Sequence, residues 1–347
     1  MALAVAVYHL QVWTHVFKAG SRLSSNVIAF GIHSVEGFFI VSGFCFFYLY
    51  QQQALDLAQG RAFYVKRFFR IAPLYYAVLL LNFVLHQHVG PFTWGRLLEN
   101  LTLSFGLFHP NHAMVLGGWS IGLEYVFYLA FPLLLWVARV PYALLVCSLL
   151  LGALAWPMNF HEVPAAPELQ RFNAYVRISN HAFLFLLGGV FAGLRRRSTL
   201  RLSTLTLAGA LALILFVSVR ELPTFYDHFY VMTGSPRVAC LLACSLMVLA
   251  CGLYRAGPSR VLAPFVWLGD LSYAVYLLHP FAWLLTSRLL GTGRPWSGFG
   301  LGLAITLMLA WLAHFLLERP MLALGRALAQ QRPRPMPESL AAPGLPR

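Results

Sequence analysis

The sequence predicts an all-α, polytopic membrane protein of about ten transmembrane helices, with both termini on the cytoplasmic side. Three observations predict it. The 347 residues are 59% hydrophobic and 10% charged, whereas soluble globular domains carry about 25% charged residues. The apolar residues come in runs, most of them near the length of about 20 residues that spans a bilayer. Lys and Arg collect at every second gap between those runs, the positive-inside pattern.

The first run, 2–17, is short and ends at Lys18, Gly20, Ser21 and Arg22. It has neither a basic leader nor a small-residue cleavage site, so it reads as a span and not as a cleavable signal peptide. The following runs are 27–50, 68–85, 119–138, 141–157, 181–194 (also short), 202–219, 237–254, 265–287 and 298–317. Basic residues follow the even-numbered runs: Lys66, Arg67 and Arg70; Arg139; Arg195, Arg196, Arg197 and Arg201; Arg255 and Arg260; Arg319, Arg326, Arg332 and Arg334. Those gaps are therefore expected inside. The longer, less basic gaps 86–118, 158–180 and 220–236 are expected outside.

Those outer gaps hold His86, His88, His109, His112, His161 and His228. Their irregular spacings predict solvated loop residues and no metal site. The five cysteines sit mostly in apolar runs and read as small core residues. The net charge of +14 lies in short inter-run gaps, which points to topology or an anionic cytoplasmic ligand and away from nucleic acid. The chain divides into a membrane domain over 1–320 and a cytoplasmic tail over 321–347. The tail is Pro- and Arg-rich from Ala329 onward and is expected to be disordered.

Polar residues inside the runs are few, and each is a candidate. An imidazole in a membrane helix is costly unless paired, which marks His9 in the first run. Counting back from Lys18, His9 lies ~13 Å from the outer boundary; counting from Val27, Glu36 lies ~14 Å from the same boundary. Matched depth on adjacent antiparallel runs predicts a carboxylate–imidazole pair, the arrangement that orients a catalytic base. A helix-to-helix hydrogen bond is the plainer reading of Glu36. Ser42-Gly43 reads as a packing device.

Arg67 and Arg70 share one helix face. Guanidinium forks suit phosphate, and topology alone also accounts for them. Trp119-Ser-Ile-Gly-Leu-Glu124 opens the fourth run, with Glu124 ~7–8 Å inside the outer boundary. A carboxylate near an aromatic ring suits a sugar hydroxyl, although Trp119 also reads as an interfacial belt residue. In the ninth run Ser272, Tyr276 and His279 share a face, and His279 lies ~18 Å from Trp267, near mid-membrane. Pro280 should kink that helix. His181 and His314, nearer helix ends, read as structural.

His9, Val35-Glu-Gly-Phe-Phe-Ile-Val-Ser-Gly-Phe44, Arg67-Phe-Phe-Arg-Ile-Ala-Pro-Leu-Tyr75, Trp119-Ser-Ile-Gly-Leu-Glu124 and Leu268-Gly-Asp-Leu-Ser-Tyr-Ala-Val-Tyr-Leu-Leu-His-Pro280 occur in this order over nearly the whole chain. Together they resemble the integral-membrane acyltransferase-3 family of bacterial sugar and cell-envelope O-acyltransferases. The resemblance implies a multi-pass protein of the bacterial cytoplasmic membrane. It implies transfer of an acyl group, usually acetyl, from cytoplasmic acyl-CoA to a hydroxyl of a glycan or lipid-linked sugar. No permanently bound cofactor is implied; acyl-CoA is the co-substrate. It makes His9 catalytic, associates Arg67 and Arg70 (with Lys66 beside them) with the donor, and puts Trp119, Ser120 and Glu124 on the acceptor side. His279 is expected to supply a proton or oxyanion stabilisation.

Two departures stand out. The basic residue that usually precedes the histidine would fall before Met1, and the helix-two carboxylate, commonly Asp, is Glu36. With the short first run, the missing cation leads us to expect a natural start upstream of Met1. Direct transfer through His9 as base and an acyl-histidine intermediate both remain open. The competing functions are a non-enzymatic glycan exporter or flippase and transfer of a bulkier group such as succinyl.

Overall fold

The computed structural model describes residues 1–51, 57–87, 89–199, 203–221, 224, 228–254, 260, 262–291 and 293–330. His88, Arg201, Arg255 and the predicted tail beyond Gln330 lie outside the described residues. Those described form helices joined by short connections, with no strand among them. The longer helices are α1 (Ala2–Thr14), α2 (Arg22–Tyr50), α3 (Leu57–Val84), α4 (Trp94–Thr102), α5 (Gly118–Val137), α6 (Ala143–Pro157), α7 (Ala182–Arg197), α8 (Thr204–Glu221), α9 (Gly234–Leu253), α10 (Ser272–Leu290), α11 (Pro295–Ala313) and α12 (Arg319–Gln330).

Six helical stretches among the described residues are long and apolar enough to cross a membrane: α2, Ala58–Val84, α5, Ala143–Ala165, α9 and Pro295–Gln330. They correspond to six of the predicted runs. The other four runs also fold as helices, but shorter or less apolar ones. The first forms the 13-residue α1, the sixth the 16-residue α7 and the seventh α8. The ninth is divided at Leu271, after the poor helix formers Gly269 and Asp270, into Ala263–Asp270 and α10.

One boundary differs in a way that matters for the site. The third run was read from residue 68, but α3 begins at Leu57. Lys66 and Arg67, which precede the predicted run, are therefore helical along with Arg70, and each side chain takes a fixed direction on α3. Arg61 and Lys66 lower the local hydropathy and hide the first three turns from an apolar count.

α2 is the hub, packing against α1, α5, α7 and α9. Ser21 caps it, its hydroxyl oxygen accepting the Ser24 N–H at 3.2 Å. Its contact with α7 is close, because glycines meet backbone there. A Cβ on Gly43 would lie 1.9 Å from the Phe185 carbonyl oxygen, and one on Gly188 2.1 Å from that of Ile40. Small residues at the crossing let two membrane helices gain dispersion contact where no hydrophobic drive separates helix from lipid. An aromatic core of Phe46, Phe47, Phe63, Phe131 and Phe185 fills the space where α2, α3, α5 and α7 converge.

Candidate active site

The first helix carries its histidine to a specific partner. His9 Nδ1 lies 3.2 Å from His279 Nε2 on α10 and 3.0 Å from the Val5 carbonyl oxygen. His279 Nδ1 lies 3.3 Å from the Val275 carbonyl oxygen, one turn earlier on its helix. One tautomer assignment satisfies all three contacts. His279 donates Nδ1–H to Val275, and its Nε2 accepts from His9 Nδ1–H, shared with Val5. His9 then keeps its lone pair on Nε2. Trp13 stands beside both rings, 5.2 Å from His9 and 5.9 Å from His279 between centroids. His279 is fully buried, and Pro280 follows it inside α10. Having no N–H, Pro280 frees the Tyr276 carbonyl and loosens the helix at this level.

Next to the pair lies a cavity of about 350 Å³, whose lining includes Ser42, Arg70, Ser120, Glu124, Ser272 and Tyr276. Tyr276 connects the two features: it lines the cavity, and its ring centroid is 6.2 Å from that of His279. Three predicted residues from two motifs therefore share one space, Arg70 with Ser120 and Glu124. Glu124 Oε1 accepts from the Ser42 hydroxyl at 2.9 Å and from the Tyr128 hydroxyl, and neither bond uses Oε2. Ser42, read as a packing residue, is thus a hydrogen-bond partner of the Glu124 carboxylate.

The Ser120 wall of the cavity is held by a left-handed glycine. Gly117 has φ 75°, and a Cβ there would lie 2.7 Å from the Tyr276 hydroxyl. Its carbonyl accepts from Tyr276 at 2.9 Å and from Ser120 at 3.0 Å, while the two hydroxyls are 2.8 Å apart. The loop before α5, the first turn of α5 and α10 are tied at this point.

Glu36 goes elsewhere than expected. Its oxygens do not meet His9. Oε2 lies 2.5 Å from His33 Nδ1, and Oε1 accepts from Arg237 Nε at 3.0 Å and Nη2 at 2.6 Å. His181 Nδ1 stands 3.2 Å from the same Oε1. Arg237 also donates to the Asn180 side chain at 2.6 Å and to its backbone carbonyl at 3.0 Å. All five of these residues are buried. Counting residues matched Glu36 to His9 in depth, but rotation about α2 turns it toward α7 and α9, whereas α1 lies on a different side. A carboxylate clamped by an arginine and a histidine joins three helices and has little freedom to orient a base.

Trp119 belongs to that side as well. It is buried, with its ring against Phe39, Tyr175 and His181, and its ring packs where an acceptor-stacking face was expected. The two arginines also divide. Arg70 lines the cavity and lies 5.7 Å over the Tyr273 ring. Arg67 packs 4.8 Å over Phe46 and 5.7 Å over Phe63. Lys66 is half-buried and does not line the cavity. His314, read as structural, bonds Glu318 at 2.8 Å in the wide turn between α11 and α12.

Sequence reasoning passed over Arg237, His33 and Asn180. Arg237 opens an apolar run just after Gly234-Ser-Pro236 and looked like a flank. The usable signal was a lone cation within a run that holds no carboxylate, which needs a partner from another helix.

Known proteins resemble this chain over most of its length. It is 25% identical over 382 aligned residues to the acyltransferase MdmB of Streptomyces mycarofaciens, covering 99% of this chain and 95% of that protein. It is 23% identical over 325 aligned residues to the peptidoglycan O-acetyltransferase OatA of Listeria monocytogenes, covering 84% of this chain and 51% of that protein. The match thus spans about half the length of OatA. No solved structure matches. Residues 1–315 match the acyltransferase domain of the acyltransferase-3 family, and the chain is a member of that family, an acyltransferase.

Proposed function

We propose that this protein, in the bacterial cytoplasmic membrane with both termini inside, moves an acetyl group from cytoplasmic acyl-CoA to a hydroxyl of a cell-envelope glycan. The observation that carries the reading is the single cavity joining Arg70 to Ser120 and Glu124, with the His9–His279 pair beyond Tyr276. The resemblance to a peptidoglycan O-acetyltransferase supports a glycan hydroxyl as acceptor.

In this reading the CoA phosphates pair with Arg70, and Lys66 and Arg67 add positive potential on the same stretch of α3. The thioester enters the cavity. The acceptor approaches from the Ser120 end; a neighbouring hydroxyl donates to Glu124, and the reacting hydroxyl donates to His9. His9 Nε2 takes its proton as the oxygen bonds to the thioester carbon. The tetrahedral intermediate collapses, the carbon–sulfur bond breaks, and the leaving thiolate takes the proton from His9. His279 holds His9 Nδ1–H throughout, keeping the lone pair on Nε2, the role an orienting group plays for a catalytic imidazole. Attack by His9 Nε2 on the thioester, forming an acyl-imidazole, uses the same contacts.

The test is turnover in membranes carrying the protein. Labelled acetyl-CoA should be consumed and the label should appear on envelope glycan, identified by mass spectrometry. A glycan exporter would leave acetyl-CoA intact, and a succinyl transferase would give a different mass increment; either result overturns the proposal.

A further inference from the structure

The connection between α3 and α5 holds a second group of chemically able side chains, far along the chain from the histidine pair. Glu99 on α4 faces His109 and His112 across the short turn that follows. His109 Nδ1 lies 3.0 Å from Glu99 Oε1, and His112 Nδ1 lies 2.8 Å from Oε2. The two rings stack with centroids 4.5 Å apart. One donor atom from each of the three residues lies within 4.8 Å of the others. The side chains remain open to the surroundings, at 22%, 53% and 33% exposure for Glu99, His109 and His112.

The scaffold around them is firmly built. Thr93 caps α4 through the Arg96 N–H at 3.2 Å. Asn100, next to Glu99 and fully buried, donates to the His112 carbonyl at 2.9 Å, and its side-chain oxygen accepts from Met114 N–H at 2.9 Å and from the Tyr75 hydroxyl at 2.6 Å. Arg96, the cation one turn before Glu99, is turned to the Pro91 and Val89 carbonyls at 2.7 and 3.1 Å. Glu99 is thereby left to the two imidazoles. Its position on a capped helix and the fixed backbone of His112 set the three donors in place before any ligand arrives.

We propose that Glu99, His109 and His112 hold one zinc-class divalent ion, which bridges α4 to the 109–112 turn and stiffens the connection ending at Gly117. Two imidazoles with one carboxylate are a donor set that suits Zn²⁺, with water in the fourth position. Ions such as Mg²⁺ and Ca²⁺ favour all-oxygen shells. On binding, each ring turns its Nδ1 lone pair to the ion and carries its proton on Nε2, so a neutral ring loses no proton. The binding claim does not rest on the acyl-transfer reading. The irregular spacing of the histidines hid the site, because its third ligand lies ten and thirteen residues upstream on a different element.

The experiment uses the full-length chain, purified without a histidine tag and stripped with a chelator. Calorimetric titration with Zn²⁺ should show one stoichiometric site, and Mg²⁺ should show none. Co²⁺ should give the visible absorption of a tetrahedral ion, abolished by Zn²⁺. Zn²⁺ should also raise the melting temperature. His109→Gln and His112→Gln should each lose the stoichiometric site and the melting shift, whereas His161→Gln, at an exposed position outside the cluster, should behave as the parent protein. The Co²⁺ spectrum of the parent protein needs no variant to fold. Its absence, or unchanged Zn²⁺ binding in folded His112→Gln protein, would overturn the proposal.

Discussion

His279 Nε2 on α10 accepts from His9 Nδ1–H on α1 at 3.2 Å, across two helices whose histidines are 270 residues apart in sequence. The contact gives His279 a definite task. In the proposed mechanism that task is to fix which nitrogen of His9 is free to act, with proton donation to the substrate a separate matter. Replacing His279 with Leu leaves His9 Nδ1–H without this acceptor. The Val5 carbonyl still accepts from it, so the loss is that of one hydrogen bond, about 0.5–1.5 kcal/mol, and kcat should fall about 2- to 13-fold. The KM for the acyl donor should stay near its original value. His279→Gln, whose side-chain oxygen can accept, should recover part of the loss. Steady-state kinetics of both variants check this, and a raised donor KM with unchanged kcat would place His279 in binding.

The Glu36–Arg237 cluster should behave as a structural lock. Arg237→Leu or Glu36→Gln alone strands a buried charge and should cost about 3–5 kcal/mol, read as a lower melting temperature and a poor folded yield. The double variant should lose less than the sum of the two. If Glu36→Gln folds with an unchanged melting temperature and abolishes turnover, Glu36 belongs to the chemistry.

The two arginines of α3 should separate. Arg70→Gln removes the cation that lines the cavity, and donor KM should rise about 10- to 100-fold with kcat little changed, the scale of a charge-assisted contact. Arg67→Gln removes a guanidinium packed over Phe46 and Phe63, and it should mainly lower stability, by about 0.5–2 kcal/mol. Equal KM effects from both would return Arg67 to the donor site.

Glu124→Gln keeps the shape of the side chain and removes its charge. kcat/KM for the acceptor should fall about tenfold, with donor KM unchanged, since Glu124 Oε1 is held by Ser42 and Tyr128. Ser42→Ala should give a smaller loss in the same parameter. Initial rates at varied acceptor concentration check both.

Much of this architecture was legible in the sequence, because burial in lipid leaves a strong apolar signal. Six apolar spans followed from run lengths, and the order of the motifs could be read directly from the chain. Rotation about each helix axis did not follow. Counting residues puts Glu36 and His9 at one depth, yet Glu36 points to Arg237 on α9 and His9 to His279 on α10. Depth is set by one helix and the bilayer, whereas facing is set by which neighbours pack where. For α2 that choice depends on the Gly43–Gly188 approach to α7; Gly43 was legible as a packing position, but its partner on α7 was not. Arg67 and Arg70 show the same limit at closer range. Three residues apart on one face, they were legible as a pair, but their division between an aromatic wedge and the cavity was not.

The most direct test of the central claim is acyl transfer by His9→Ala. In membranes supplied with labelled acetyl-CoA, the folded variant should lose acceptor labelling by about 10²–10⁴-fold, the contribution of a positioned proton-transfer group. Its melting temperature should remain near that of the parent protein. Undiminished labelling by folded His9→Ala protein would contradict the account.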